Sequence, residues 1–289
     1  MKKVDFFIVG APKAGTTSLY HYLNEHPDID MSSQKEPDFF SYRSLQKQNL
    51  YYGKKRIDTI DKYHSLFKRD NIKLRGEASV SYLFYEDVPQ RIIKYNPNAK
   101  IIIMLRNPIE RAFSHYLMDY RLGLISENFD TIIKSELKSS YNNLFYQQYI
   151  LISEYALQVK RYLSAFPKKN VHFIYYEDFK ENTDIIVSKV FLFLGIDDGF
   201  TPSLQKKYNI YSQPKIRIIH YLYSFFYLRR VLSIIFPKIL INRIRKVFFR
   251  SDIKPELSES SRRILKRHFE SDIKELSKIL NKDLVKWIR

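Results

Sequence analysis

Apolar residues fall along this chain in two alternating patterns. Val4-Asp5-Phe6-Phe7-Ile8-Val9 and Lys100 to Arg106 are short, nearly continuous apolar runs, as strands are when both faces of a parallel sheet are covered. Ile72 to Ser79 and Val171 to Tyr176 are two further candidate strands. Between them the spacing predicts helices. One runs from Ser18 to His26 and stops at Pro27; another runs from Asp87 to Tyr95, before Asn96-Pro97. A third starts at Pro108 and carries Ser114 and Tyr116. Two more cover Tyr149 to Phe166 and Ile185 to Leu194, the latter closed by Gly195. Near the end, Leu265, Phe269, Ile273, Leu276, Leu280, Leu284 and Trp287 recur at intervals of three and four, which predicts one amphipathic helix packed on the core. Strand and helix alternate, so the expected fold is α/β, a P-loop-like central parallel sheet flanked by helices. Right-handed crossovers then bring the loops after the strands at 4–9 and 100–106 to one edge, where such sheets bind ligands.

The 289 residues, 45% apolar, suffice for one substantial core. One domain over 1–289 is expected: an α/β core at 1–200, a basic helical cap at 201–255 and a C-terminal helix at 256–289 packed on the core. Cysteine is absent, which excludes disulfides and thiolate metal sites and fits a reducing compartment. Asp5 and the loop after it interrupt any signal-peptide core, and no uncharged apolar run reaches the ~18–20 residues that span a bilayer. A soluble, cytoplasmic protein is expected.

The net charge of +18 changes this picture only locally. From Gly199 to Ser251 there is no Asp or Glu against eleven Lys and Arg, so this segment carries +11 of the total. Such an excess calls for an anionic partner. Its apolar and aromatic clusters, such as Ile218 to Leu228 beside Arg229-Arg230, leave three readings open. They are helices lining an acceptor cleft, peripheral contact with the anionic inner face of a membrane, or a sheet cover with a solvated basic side. No nucleic-acid-binding module is recognisable, so no nucleic-acid partner is expected.

The first strand ends in Gly10-Ala11-Pro12-Lys13-Ala14-Gly15-Thr16-Thr17-Ser18-Leu19. Strand, glycine-bracketed loop and helix together make an anion site, with backbone amides and the positive helix end converging on one group. A nucleotide-hydrolysing loop reads G-x-x-x-x-G-K-[ST]. Here Gly10 and Gly15 keep that spacing, but Thr16 stands where the lysine would be, and the lysine lies inside the loop as Lys13. The second chemistry-bearing segment is Ile101-Ile102-Ile103-Met104-Leu105-Arg106-Asn107-Pro108, with Ser114 eight residues after Arg106. An arginine ending a buried strand offers a permanently charged, forked donor suited to phosphate.

With these two motifs in this order, the chain resembles sulfotransferases that use 3′-phosphoadenosine 5′-phosphosulfate (PAPS), in particular those acting on glycans such as heparan. Lys35-Glu36-Pro37-Asp38-Phe39-Phe40, Gly76-Glu77-Ala78-Ser79 and the stretch from Phe269 to Trp287 extend the similarity. The resemblance implies that Lys13, Ala14, Gly15, Thr16, Thr17 and Ser18 hold the 5′-phosphosulfate and that Arg106 and Ser114 hold the 3′-phosphate. Glu36 would then be the general base that takes the proton from an acceptor hydroxyl, in this family the hydroxyl of a carbohydrate, during in-line sulfuryl transfer. His21, His26, His64 and His115 compete for that role, His115 foremost because it adjoins Ser114. Arg111 is either a further phosphate ligand or a solvated helix residue. Glu77 either orients Lys13 or the acceptor, or makes a structural salt bridge. Some glycosaminoglycan-modifying relatives carry a lysine where this chain has Ala78, so no active-site lysine is expected from that strand. No H-x-x-x-H, Asp-rich loop or cysteine cluster is present, and no metal is expected. Two competing functions are a P-loop kinase or nucleotide hydrolase and a non-catalytic binder of anionic glycans or membranes.

Overall fold

Five parallel strands form the central sheet of the computed structural model, which describes residues 2–48, 57–136, 144–197, 199–203, 213–214, 249–250 and 255–289. They are β1 (Phe6–Gly10), β2 (Ile29–Met31), β3 (Leu74–Ala78), β4 (Lys100–Leu105) and β5 (Val171–Tyr175), in the order β2-β3-β1-β4-β5. β1 is buried throughout and β4 at all but its first residue, as their unbroken apolar runs require of strands covered on both faces. The chain leaves β1 towards β3 and β2 on one side and reaches β4 and β5 on the other. The topological switch, where α/β sheets open a crevice, therefore lies at the carboxyl end of β1. Parallel pairing of β1 with both β3 and β4 puts the loops after all three strands on that edge.

Ten helices precede the C-terminal one among the described residues: α1 (Thr16–Glu25), α2 (Tyr42–Gln48), α3 (Ile60–His64), α4 (Val88–Tyr95), α5 (Pro108–Leu122), α6 (Phe129–Glu136), α7 (Leu144–Tyr149), α8 (Tyr155–Ala165), α9 (Tyr176–Glu181) and α10 (Thr183–Leu194). The C-terminal helix is Glu259–Leu280. Pro108 opens α5 as expected, and the Asn107 side chain accepts from the amides of Ile109 and Glu110 at 3.0 and 3.5 Å. Gly195 closes α10 in the left-handed conformation. The basic cap expected at 201–255 lies almost wholly outside the described residues, apart from a short antiparallel pair, Gln213–Pro214 with Phe249–Arg250.

Two expected helices differ. The single helix over 149–166 is broken: α7 ends at Tyr149, a 3₁₀ turn covers Leu151–Ser153, and α8 starts at Tyr155. Arg111 causes the interruption. Its Nη2 donates to the carbonyls of Gln148 and Tyr149 at 2.6 and 3.0 Å, acceptors that a continuous helix would use itself. Asp272 then caps the new start, accepting from the Tyr155 and Ala156 amides at 2.8 and 3.0 Å. The second difference is at the C-terminus. Asn281, left-handed at φ 48°, ends the long helix, so Leu284 and Trp287 fall in a separate turn, yet both remain buried. Three-residue β2 gave no readable period, and α1 begins two residues earlier than Ser18.

Candidate active site

The loop after β1 is shaped by backbone conformations that its sequence makes accessible. Gly15, at φ 93°, turns the chain into α1, and a Cβ there would lie 3.3 Å from the rings of Phe179 and Tyr176. No side chain caps α1 and its first turn holds no acidic residue. Of its leading amides, that of Ser18 donates to the Gly15 carbonyl at 3.0 Å, while those of Thr16 and Thr17 precede the first bond of the helix ladder, at the positive end of the helix. Ala14 and Thr16 are buried, while Lys13, Gly15, Thr17 and Ser18 are half-buried. Lys13 has a left-handed backbone, φ 69°. Burial first, then the guanidinium groups of Arg121, Arg106 and Arg111, push its ammonium down to about 8, against a smaller opposing effect of Asp119. Among the described residues Lys13 has no ion pair. Three guanidinium groups outweighing one carboxylate around a buried ammonium favour an anion there.

Arg106 ties the second motif to the first. Its Nη1 donates to the Lys13 carbonyl at 3.0 Å, its guanidinium lies 4.5 Å above the Tyr176 ring, and its Nε is buried with no partner among the described residues. An unsatisfied buried donor on a permanent cation is the atom a phosphate oxygen would complete. Ser114 stands half-buried on α5. The aromatic wall of Tyr176 and Phe179 carried no spacing signal; only its place just after β5, at the ligand edge, could have marked it.

Glu36 reaches the same edge from the other side of β1. Its amide donates to the carbonyl of Ala78, the last residue of β3, at 2.8 Å. Its backbone is left-handed at φ 58°, and its half-buried carboxylate pairs with Lys35 at 2.6 Å. The Tyr20 hydroxyl of α1 donates to the Ser32 carbonyl at 2.7 Å, joining the two loops.

Other candidates are engaged within the core, Arg111 and His115 near enough to Lys13 to act on it electrostatically. Arg111 is fully buried rather than solvated: its Nε donates to Ser153 Oγ at 2.6 Å and its Nη1 lies 3.1 Å from His115 Nδ1. Burial and the adjacent Arg111 hold His115 well below the usual imidazole range, as a neutral core group. His26 packs between Phe191 and Phe200 with both ring nitrogens engaged. His64 contacts Tyr95, whose hydroxyl accepts from the Val4 amide at the opposite, amino end of β1. Glu77 neither faces Lys13 nor makes a salt bridge among the described residues. It is fully buried, accepts from the hydroxyls of Tyr63, Ser79 and Tyr82, and is pushed up to about 7 by desolvation. No cluster of three or more His, Asp or Glu suited to a metal occurs among the described residues.

A parallel sheet of this order, with a strand–loop–helix turn beside the arginine that ends β4, is the frame within which the comparisons with known proteins fall. The family model for the sulfotransferase domain matches residues 3–277, and the chain belongs to that family. Its fold is similar throughout to a sulfotransferase from Alicyclobacillus acidocaldarius, with a TM-score of 0.74, 31% identity and 100% of each chain covered. Mouse sulfotransferase SULT7A1 complexed with PAP shares the fold at a TM-score of 0.54 and 20% identity, over 97% of this chain and 89% of that one. Human carbohydrate sulfotransferase 15 is 26% identical over 66% of this chain and 43% of its own length. Human bifunctional heparan sulfate N-deacetylase/N-sulfotransferase 2 is also 26% identical, over 66% of this chain and 22% of its own. The chain thus spans less than half the length of these curated relatives.

Proposed function

We propose that the protein transfers the sulfuryl group of PAPS to a hydroxyl of a carbohydrate. The observation that carries this reading is the junction of the two anion-binding motifs, with Arg106 bonded to the Lys13 carbonyl while its Nε stays unsatisfied. A donor with phosphate at both 5′ and 3′ positions calls for a second cationic group beside the first, and ATP does not. Lys13 and the amides and hydroxyls of residues 14–18 would hold the 5′-phosphosulfate, and Arg106 with Ser114 the 3′-phosphate. The acceptor oxygen attacks sulfur in line and its proton passes to Glu36. The bond from sulfur to the 5′-phosphate oxygen breaks, and adenosine 3′,5′-bisphosphate leaves. Lys13 and the loop amides neutralise the charge that grows on that oxygen. A carbohydrate acceptor is supported by the relatives' printed names and by the similarity around Glu36. No helix among the described residues is long and apolar enough to cross a membrane. The basic stretch that would contact a membrane surface lies outside the described residues.

The test uses radiolabelled PAPS and a panel of neutral and uronate-bearing polysaccharides. Label should appear in at least one glycan. Glu36→Gln should cut the rate by about 10²–10⁴-fold while leaving donor affinity nearly intact. Full activity in Glu36→Gln would remove the base assignment, and label in no glycan would remove the acceptor class.

A further inference from the structure

The Glu36 loop is held from behind by a carboxylate that the transfer reaction does not use. Glu77, in β3, is 0% exposed and has no ion pair among the described residues. An unpaired carboxylate is costly to bury unless its hydrogen bonds are filled, and here three hydroxyls fill them. Tyr63 donates to Oε2, Ser79 donates to Oε1 at 2.5 Å, and Tyr82 donates as well.

Each of these donors also touches the loop. Ser79 Oγ accepts the Asp38 amide at 3.0 Å, and Tyr82 Oη accepts the Phe40 amide at 3.1 Å. The Tyr63 ring stacks on Phe39 at 4.6 Å and 10°. A hydroxyl has one proton, so a carboxylate that claims it leaves only lone pairs for the other side. Glu77 thereby fixes Ser79 and Tyr82 as acceptors towards two loop amides. With the Glu36 amide on the Ala78 carbonyl, alternate amides 36, 38 and 40 are docked in succession. Ser81 adds a bond to the Asp38 carboxylate at 2.6 Å, and Arg91 one to the Phe40 carbonyl at 2.9 Å. The loop needs such fixing, because Glu36 and Asp38 both lie in the left-handed region, at φ 58° and 54°.

The geometry points to Glu77 as a positioning residue that, through Ser79, Tyr82 and Tyr63, locks the left-handed Glu36–Phe40 loop and so aims the Glu36 carboxylate at the ligand edge. This rests on the reading of Glu36 as the base.

The test pairs peptide-resolved amide hydrogen exchange over 33–42 with the rate of sulfuryl loss from PAPS, water serving as acceptor. Ser79→Ala removes one link and Tyr82→Phe the other, so one variant covers a folding failure in its fellow. Either should raise exchange in the loop by about tenfold, the effect of one lost hydrogen bond. Either should lower turnover while leaving affinity for adenosine 3′,5′-bisphosphate unchanged. Added to Glu36→Gln, neither should lower turnover further, since the group being aimed is gone. Unchanged loop exchange in both variants, or a loss that simply multiplies with that of Glu36→Gln, would overturn the inference. A loosened loop together with a fully active Glu36→Gln would instead sink the base assignment and leave the lock in place.

Discussion

Lys13 and Glu36 share a backbone feature that composition and spacing do not show: each is a non-glycine residue in the left-handed region. That conformation costs an L residue roughly 1–2 kcal/mol and persists only where surrounding contacts impose it. Lys13 and Arg106 were legible because both motifs are contiguous strings following strands. Glu77 was misjudged because its partners Tyr63, Ser79 and Tyr82 meet it only in the fold. Two pH dependences follow. With Lys13 at about 8, affinity for adenosine 3′,5′-bisphosphate should weaken above pH 8, by up to about tenfold per pH unit. Calorimetric titration at stepped pH checks this, and the weakening should vanish in Lys13→Arg. Glu77 is raised from 4.5 to about 7, so the folded state holds its proton more tightly than the unfolded chain. Its stabilising contribution is complete below pH 4.5 and is lost as pH rises through 7. Denaturant midpoints should therefore fall over that window in the wild type, and Glu77→Gln should flatten the fall.

The elements divide by where their signal comes from. β1 and β4 were readable because burial on both faces leaves nothing but apolar residues, and α5 because Asn107-Pro108 marks its start. The break between α7 and α8 was hidden, since Arg111 and Asp272 act from elsewhere in the chain. Asp272 supplies α8 with a cap in trans, so Asp272→Ala should destabilise the protein by about 0.5–2 kcal/mol. At about 2–4 °C per kcal/mol, that is a resolvable drop in Tm. Asp272→Asn, which keeps an acceptor oxygen, should lose less. An Asp272→Ala Tm equal to wild type would show that α8 starts there for other reasons.

At the scale of the molecule, the sheet order puts three loops on one edge. The β1 loop carries Lys13, the β4 end carries Arg106, and β3 docks the Glu36 loop. Strand–helix alternation was enough to foresee that edge for the loops after β1 and β4, whereas the docking of the Lys35-Glu36-Pro37 string onto the end of β3 has no spacing signal in the chain.

Thermal unfolding with adenosine 3′,5′-bisphosphate, set against ATP with Mg²⁺, tests the donor site most directly. At a hundred times its dissociation constant a ligand adds ~2.7 kcal/mol, a rise of several degrees. A rise with the bisphosphate that disappears in Arg106→Ala is expected. A rise with ATP and Mg²⁺ and none with the bisphosphate would contradict the PAPS assignment.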